Sequence, residues 1–209
     1  MRSPTILSTR ANSLKRVAVV GTSCSGKTTL ARNLALCLGC AHFELDQLNF
    51  LSDWRVRPLP ELRHMVQAVA DTDRWIIDGN YGKLRDIVWA RASHVVWLNL
   101  PFGVVFWRAL RRTARRVISQ EELFGGNTET FRRALINPES IPWWVVRTHR
   151  RRRREYRRLL APHQGAHPIP IEIKSPADAD AFLERVCYQM DVEVQVEGPP
   201  TQTQRDSTV

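Results

Sequence analysis

Short apolar runs alternate along this chain with stretches whose apolar residues recur every three or four positions. The run over residues 17–21 is almost continuously apolar, as expected of a strand buried on both faces. It feeds into GTSCSGKTT, and a helix is predicted from about Lys27 to Leu38, with Gly39 as its stop. HFEL (42–45) reads as a second strand that ends at Asp46. After the loop RVRPLPEL, residues 61–70 have a helical period. RWIID (74–78) is a third buried strand, closed by the turn formers Gly79-Asn80. A helix over about Lys83 to Arg91 leads to a fourth strand, HVVWLNL (94–100). Pro101 opens a basic helix to about Ile118, and residues 119–142 lose the period, with Pro138 and Pro142 as breakers. A second basic helix covers about Trp143 to Leu160. PIPIEI (168–173) supplies a fifth strand whose prolines suit an edge or a strand start, and a helix over 176–190 follows.

Strands alternating with helices predict an α/β fold of three layers, with about five parallel strands and helices on both faces. The 209 residues suit one such domain over 17–190, between a flexible basic N-terminus (1–16) and a disordered polar tail (191–209). Ligands of these sheets bind at the carboxyl ends of the strands. Gly21, Asp46, Asp78 and Pro101 each follow such an end, so the polar residues converge on one edge.

Composition adds three points. No apolar stretch reaches the roughly 18 residues of a membrane span. Cys37 and Cys40 form a C-x-x-C, but no second pair or histidine pair completes a metal site, so they read as packing thiols in a reducing cytoplasm. The formal charge is +10, and residues 101–160 hold fifteen arginines against five glutamates, so the whole excess lies in that segment.

The spacing Gly21-x-x-x-x-Gly26-Lys27-Thr28, set between a buried strand and a helix, is that of a phosphate-binding loop. Glycines let successive N–H groups turn inward, and the helix adds the positive end of its dipole. Gly21, Ser23, Cys24, Ser25, Gly26, Lys27, Thr28 and Thr29 are the expected nucleotide contacts. The Lys27 ammonium would reach the transferred phosphoryl group, and the Thr28 hydroxyl would ligate magnesium. Asp78, at the end of an apolar strand, is the expected second metal residue, against the plainer reading of a turn-starting aspartate. Asp46 is the candidate to accept or orient the acceptor's hydroxyl proton, against the plainer reading of a cap. Glu44 is a weaker candidate on the same strand face.

The helix after Pro101 sets Arg108, Arg112 and Arg116 in one row, with Arg111 and Arg115 in the next. Such density repels itself unless anions neutralise it, and Arg112 and Arg116 are the expected stabilisers of a transferring phosphoryl group. Between Arg147 and Arg158 there are eight arginines in twelve residues. They read as a solvated basic face, with phosphate clamping or nucleic-acid binding as the functional alternatives.

With those residues in place, the chain resembles the small P-loop kinases of the adenylate kinase and shikimate kinase kind. It is most similar to a bacterial adenylate-kinase-related family known as topology-modulation proteins. The stretches that carry the resemblance are GTSCSGKTTLARNLA, FELDQLNF, RWIIDGNYGKLRDIVWARA, VVWLNLP, RALRRTARR, ELFGGNTE and WWVVRTHRRRRREY. The resemblance implies a nucleoside-monophosphate-kinase-like fold with an arginine-rich lid over about 117–145. ATP and Mg2+ would be the nucleotide and metal, and a small molecule the phosphate acceptor. It puts Asp46, Gly79, Asn80 and Arg85 on the acceptor side, although DGNYGKLR stands where nucleotide kinases have DGFPR. The rival reading is a nucleic-acid-binding P-loop ATPase or regulator. A GTPase lacks support because no Asn-Lys-x-Asp motif is present, and the Ser-Gly-Gly-Gln signature of an ABC ATPase is absent too.

Overall fold

The computed structural model describes residues 9–119, 140–161 and 167–196. Five strands form one sheet: β1 (Arg16–Gly21), β2 (Ala41–Glu44), β3 (Trp75–Asp78), β4 (His94–Leu98) and β5 (Ile169–Ile173). Their order is β2-β3-β1-β4-β5, and every neighbouring pair is parallel. β5 is an edge strand, which is why its Pro170 is tolerated opposite Val95. The helices are α1 (Lys27–Leu38), α2 (Leu45–Asn49), α3 (Leu59–Ala70), α4 (Arg85–Arg91), α5 (Phe102–Ser119), α6 (Ile141–Leu159) and α7 (Pro176–Val196).

The period of two along each strand divides the core between the two faces. Val17, Val19, Ile76, Val96 and Ile171 pack with Leu30, Leu34 and Leu38 of α1 and with Phe182 and Val186 of α7. Ala18, Val20, Ile77, Val95 and Trp97 pack with Leu62 and Val66 of α3, Ile87 and Val88 of α4, and Tyr156 of α6. Each large apolar side chain buried in this way contributes about 1.5–3 kcal/mol. A third cluster joins α5 to α6 through Leu100, Val105, Ala109 and Val145.

Several boundaries differ from expectation. β2 ends at Glu44, and Leu45–Asn49 turns into a helix, so Asp46 lies in a helical first turn and not on Glu44's strand face. The apolar spacing Leu45, Leu48 has the helical step of three, which wins once the chain leaves the sheet. Pro142 does not break α6: it sits in the first turn, where its missing N–H has no partner to lose. The N-terminus is not loose up to residue 16. Ala11 and Leu14 are each 1% exposed, and the Ala11 amide donates to Gln189 Oε1 at 2.8 Å. α7 runs on to Val196, beyond the end expected at 190. Of the lid expected over 117–145, residues 120–139 lie outside the described residues, while Val145 at its far end is fully buried against α5. Cys37 is not a free packing thiol: it is bonded to Cys187, which ties α1 to α7, and Cys40 stays unbonded and half-buried. Among the described residues, no helix is long and apolar enough to cross a membrane.

Candidate active site

The phosphate loop leaves β1 at Gly21, where φ is +152° and a Cβ would stand 2.8 Å from the Leu98 carbonyl oxygen. Only glycine fits that approach. The loop enters α1 through Gly26, at φ +96° in the N-cap position. Cys24 also takes a left-handed conformation, at φ +62°, which costs a side-chain-bearing residue about 1–3 kcal/mol and is typical of ligand clamps. Ser25 is 2% exposed and its hydroxyl has no partner. The loop is therefore bent around a space toward which the N-terminus of α1 presents its free N–H groups.

Lys27 Nζ donates to the Thr22 carbonyl at 3.3 Å, within the loop itself. Burial lowers its pKa, while the carboxylates of Asp46 and Asp78 work to raise it and Arg152 works to lower it. Parallel pairing sets Glu44 beside Asp78 at the ends of β2 and β3. Thr28 Oγ1 donates to Glu44 Oε1 at 3.2 Å. Burial, with the neighbouring charges of Asp78 and Asp46, raises the Glu44 pKa. Asp78 is 1% exposed, and its Oδ2 has no hydrogen-bond donor; His42 Nε2, equally unpartnered, stands 3.8 Å away. A buried carboxylate oxygen left bare is costly unless a cation or its water shell completes it. Thr28 and Asp78 thus fit a magnesium ion that takes its remaining ligands from phosphates and water, with Glu44 next to both.

Asp46 faces the same space from α2. Its Oδ1 accepts a hydrogen bond from the Tyr81 hydroxyl at 2.7 Å. Burial and the Asp46 charge push the Tyr81 pKa up, so its hydroxyl keeps its proton and remains a donor. Gly79, expected on the acceptor side, has its own constraint: at φ +145°, a Cβ would meet Leu45 Cβ at 2.7 Å. The Asn80 amide is engaged by Gly21 and Tyr156. Arg85 is paired with Glu155 of α6 at 2.6 Å and lies over the Trp89 ring at 5.2 Å. These three residues are held by contacts within the fold.

Arg108 contacts the loop directly, its Nη1 donating to the Ser25 carbonyl at 3.0 Å. Arg112 lies one turn on, with Nη1 4.0 Å from Cys24 Sγ. Arg116 follows a further turn along the same row. From α6, Arg152 is half-buried, and burial lowers its pKa against the pull of Tyr156, Glu155 and Asp46. Sequence reasoning missed Arg108 as the contacting member of its row, did not single out Arg152 within the run from Arg147 to Arg158, and missed Tyr81 and His42 altogether. The four-residue spacing to Arg112 was a usable signal for Arg108. The other three depend on contacts between distant segments.

No family model matches the chain, and no curated protein matches it. Solved structures do. A shikimate kinase from Acinetobacter baumannii, solved in complex with shikimate, is 17% identical and covers 87% of this chain and 96% of its own, with a TM-score of 0.53. A gluconokinase from Sinorhizobium meliloti is 14% identical and covers 90% of this chain and 97% of its own, with a TM-score of 0.49. The likeness to the shikimate kinase establishes the fold. This chain has the α/β architecture of P-loop kinases, built on a five-stranded parallel sheet.

Proposed function

We propose that the protein is an ATP-dependent kinase that moves the γ-phosphoryl group to a hydroxyl of a small molecule. One observation carries this reading. The phosphate loop, the Lys27 ammonium, the Thr28 hydroxyl, the Asp78 carboxylate with its bare Oδ2 and a separately anchored Asp46 converge at the carboxyl ends of β1, β2 and β3. A shikimate kinase solved in complex with shikimate shares this fold, which suits an acceptor of that size.

On this reading, the loop amides and Lys27 hold the β- and γ-phosphates, and Arg108 and Arg112 add positive charge at the loop's outer side. Thr28 and Asp78 would hold magnesium, which neutralises charge on the phosphates. Asp46 accepts the proton of the acceptor hydroxyl as the oxygen attacks phosphorus, and the Tyr81 hydroxyl fixes the carboxylate's direction. The acceptor side is formed by Asp46, Tyr81 and the Arg85 region. The particular likeness to the topology-modulation family belongs to this proposal.

The test is ADP release by the purified protein across a panel of hydroxy acids, sugars and nucleosides, measured over the water background. Lys27→Ala should lower the acceptor-dependent rate by about 10²–10³. A rate within twofold of wild type would overturn the assignment.

A further inference from the structure

Asn80 follows Asp78 and Gly79 at the end of β3, where an acceptor contact is expected. Its side chain is instead spent on the phosphate loop. Oδ1 accepts from the Gly21 N–H at 3.1 Å, and Nδ2 donates back to the Gly21 carbonyl. One amide therefore grips both main-chain groups of a single residue. That residue has no side chain of its own to fix its direction, and it is where the chain leaves the sheet to become the loop. The orientation of the amide is determined by these contacts. Flipped, its NH2 would face the Gly21 N–H and its oxygen the Gly21 carbonyl.

A third bond fixes the clamp from outside. The Tyr156 hydroxyl of α6 donates to Asn80 Oδ1 at 2.9 Å. Tyr156 is 3% exposed, with its ring centroid 6.4 Å from that of Trp89 and 5.9 Å from that of Trp97, so the phenol has little freedom. Burial raises its pKa and keeps it a donor. The Arg85–Glu155 pair ties the segment after β3 to α6 one residue before Tyr156. The chain of contacts thus runs from an arginine-rich helix, through a buried ring and one amide, to the mouth of the phosphate loop.

We propose that Asn80 is a positioning residue of the phosphate loop, oriented by Tyr156, so that α6 and the loop move as one unit. The proposal rests on reading residues 21–28 as the nucleotide site. It gives Asn80 a role on the nucleotide side of the reaction, separate from acceptor binding.

Two readouts test it on the intact chain. In the nucleotide-free protein, hydrogen exchange at the Gly21 amide, followed by NMR, should quicken about tenfold in Asn80→Ala. Tyr156→Phe keeps the ring in the core and should give a smaller increase in the same direction. Titration with AMP-PNP and magnesium should show the dissociation constant raised about tenfold by Asn80→Ala and about fivefold by Tyr156→Phe. With ATP as substrate, KM for ATP should rise in step while kcat at saturation stays within twofold, a split that general destabilisation does not produce. Unchanged Gly21 exchange in Asn80→Ala would overturn the clamp. Equal AMP-PNP affinity in wild type and Asn80→Ala would overturn the proposal alone. Failure of the wild type to bind AMP-PNP would overturn the nucleotide reading, and this proposal with it.

Discussion

Helices α5 and α6 are both arginine-rich, with five and eight arginines, and meet the site in opposite ways. α5 presents charge directly: the Arg108 guanidinium donates to the loop at Ser25, and Arg112 follows on the same row. α6 is anchored by an apolar contact, two hydrogen bonds and the Arg85–Glu155 ion pair, none of which sets one of its arginines on the loop. Val145 is buried against α5, His149 Nε2 meets the Leu100 carbonyl at 3.1 Å, and the Tyr156 hydroxyl meets Asn80. Most of its arginines, including Arg150, Arg151 and Arg154, point to solvent, while Arg152 sits half-buried toward Lys27 and Asp46. Arginine density therefore does not assign a role. The neighbours that bury one guanidinium and leave the next in water do so.

This contrast can be broken by substitution. Arg108→Ala should have the largest effect. It removes a cation seated on the loop, and kcat/KM should fall by about 10²–10³ with little change in melting temperature. A fall below threefold would place Arg108 among the surface charges. Arg152→Met, which keeps the stem and removes the charge, should lower kcat/KM by about tenfold. It should also raise the Lys27 pKa, since Arg152 is one of the groups that depress it. An unchanged rate would detach α6's charge from the chemistry. Replacing Arg150, Arg151 and Arg154 together by glutamine should change the rate by less than about twofold, because exposed substitutions of this kind alter energies by only about 0.5 kcal/mol. A large loss would turn α6 into a polyanion-binding face and favour the nucleic-acid reading. In that case, binding should also weaken steeply with log[salt].

The fold was legible wherever the information was local. β1, β3 and β4 are short apolar runs, and the loop between β1 and α1 has its whole motif within eight residues, so these could be read directly. Asp46 shows where this fails. The alternation His42, Phe43, Glu44, Leu45 reads as strand, but the sheet ends at Glu44 and the helical step of Leu45 and Leu48 takes over. Contacts across long separations were hidden for a different reason. Arg108 meets Ser25 across 83 residues, Tyr156 meets Asn80 across 76, and Cys37 meets Cys187 across 150. Local pattern names no partner for any of those residues. Pro142 misled by its type alone, since proline stops a helix in its interior and suits its first turn.

The central claim is that the γ-phosphoryl group goes to a small organic acceptor. Phosphorus NMR of the protein with ATP, magnesium and a pooled acceptor set reads this directly. The account predicts that the ATP γ resonance is replaced by ADP and a new phosphomonoester line that requires an acceptor and is lost in Lys27→Ala. Release of orthophosphate alone, accelerated by added single-stranded RNA and indifferent to the acceptor pool, would contradict it.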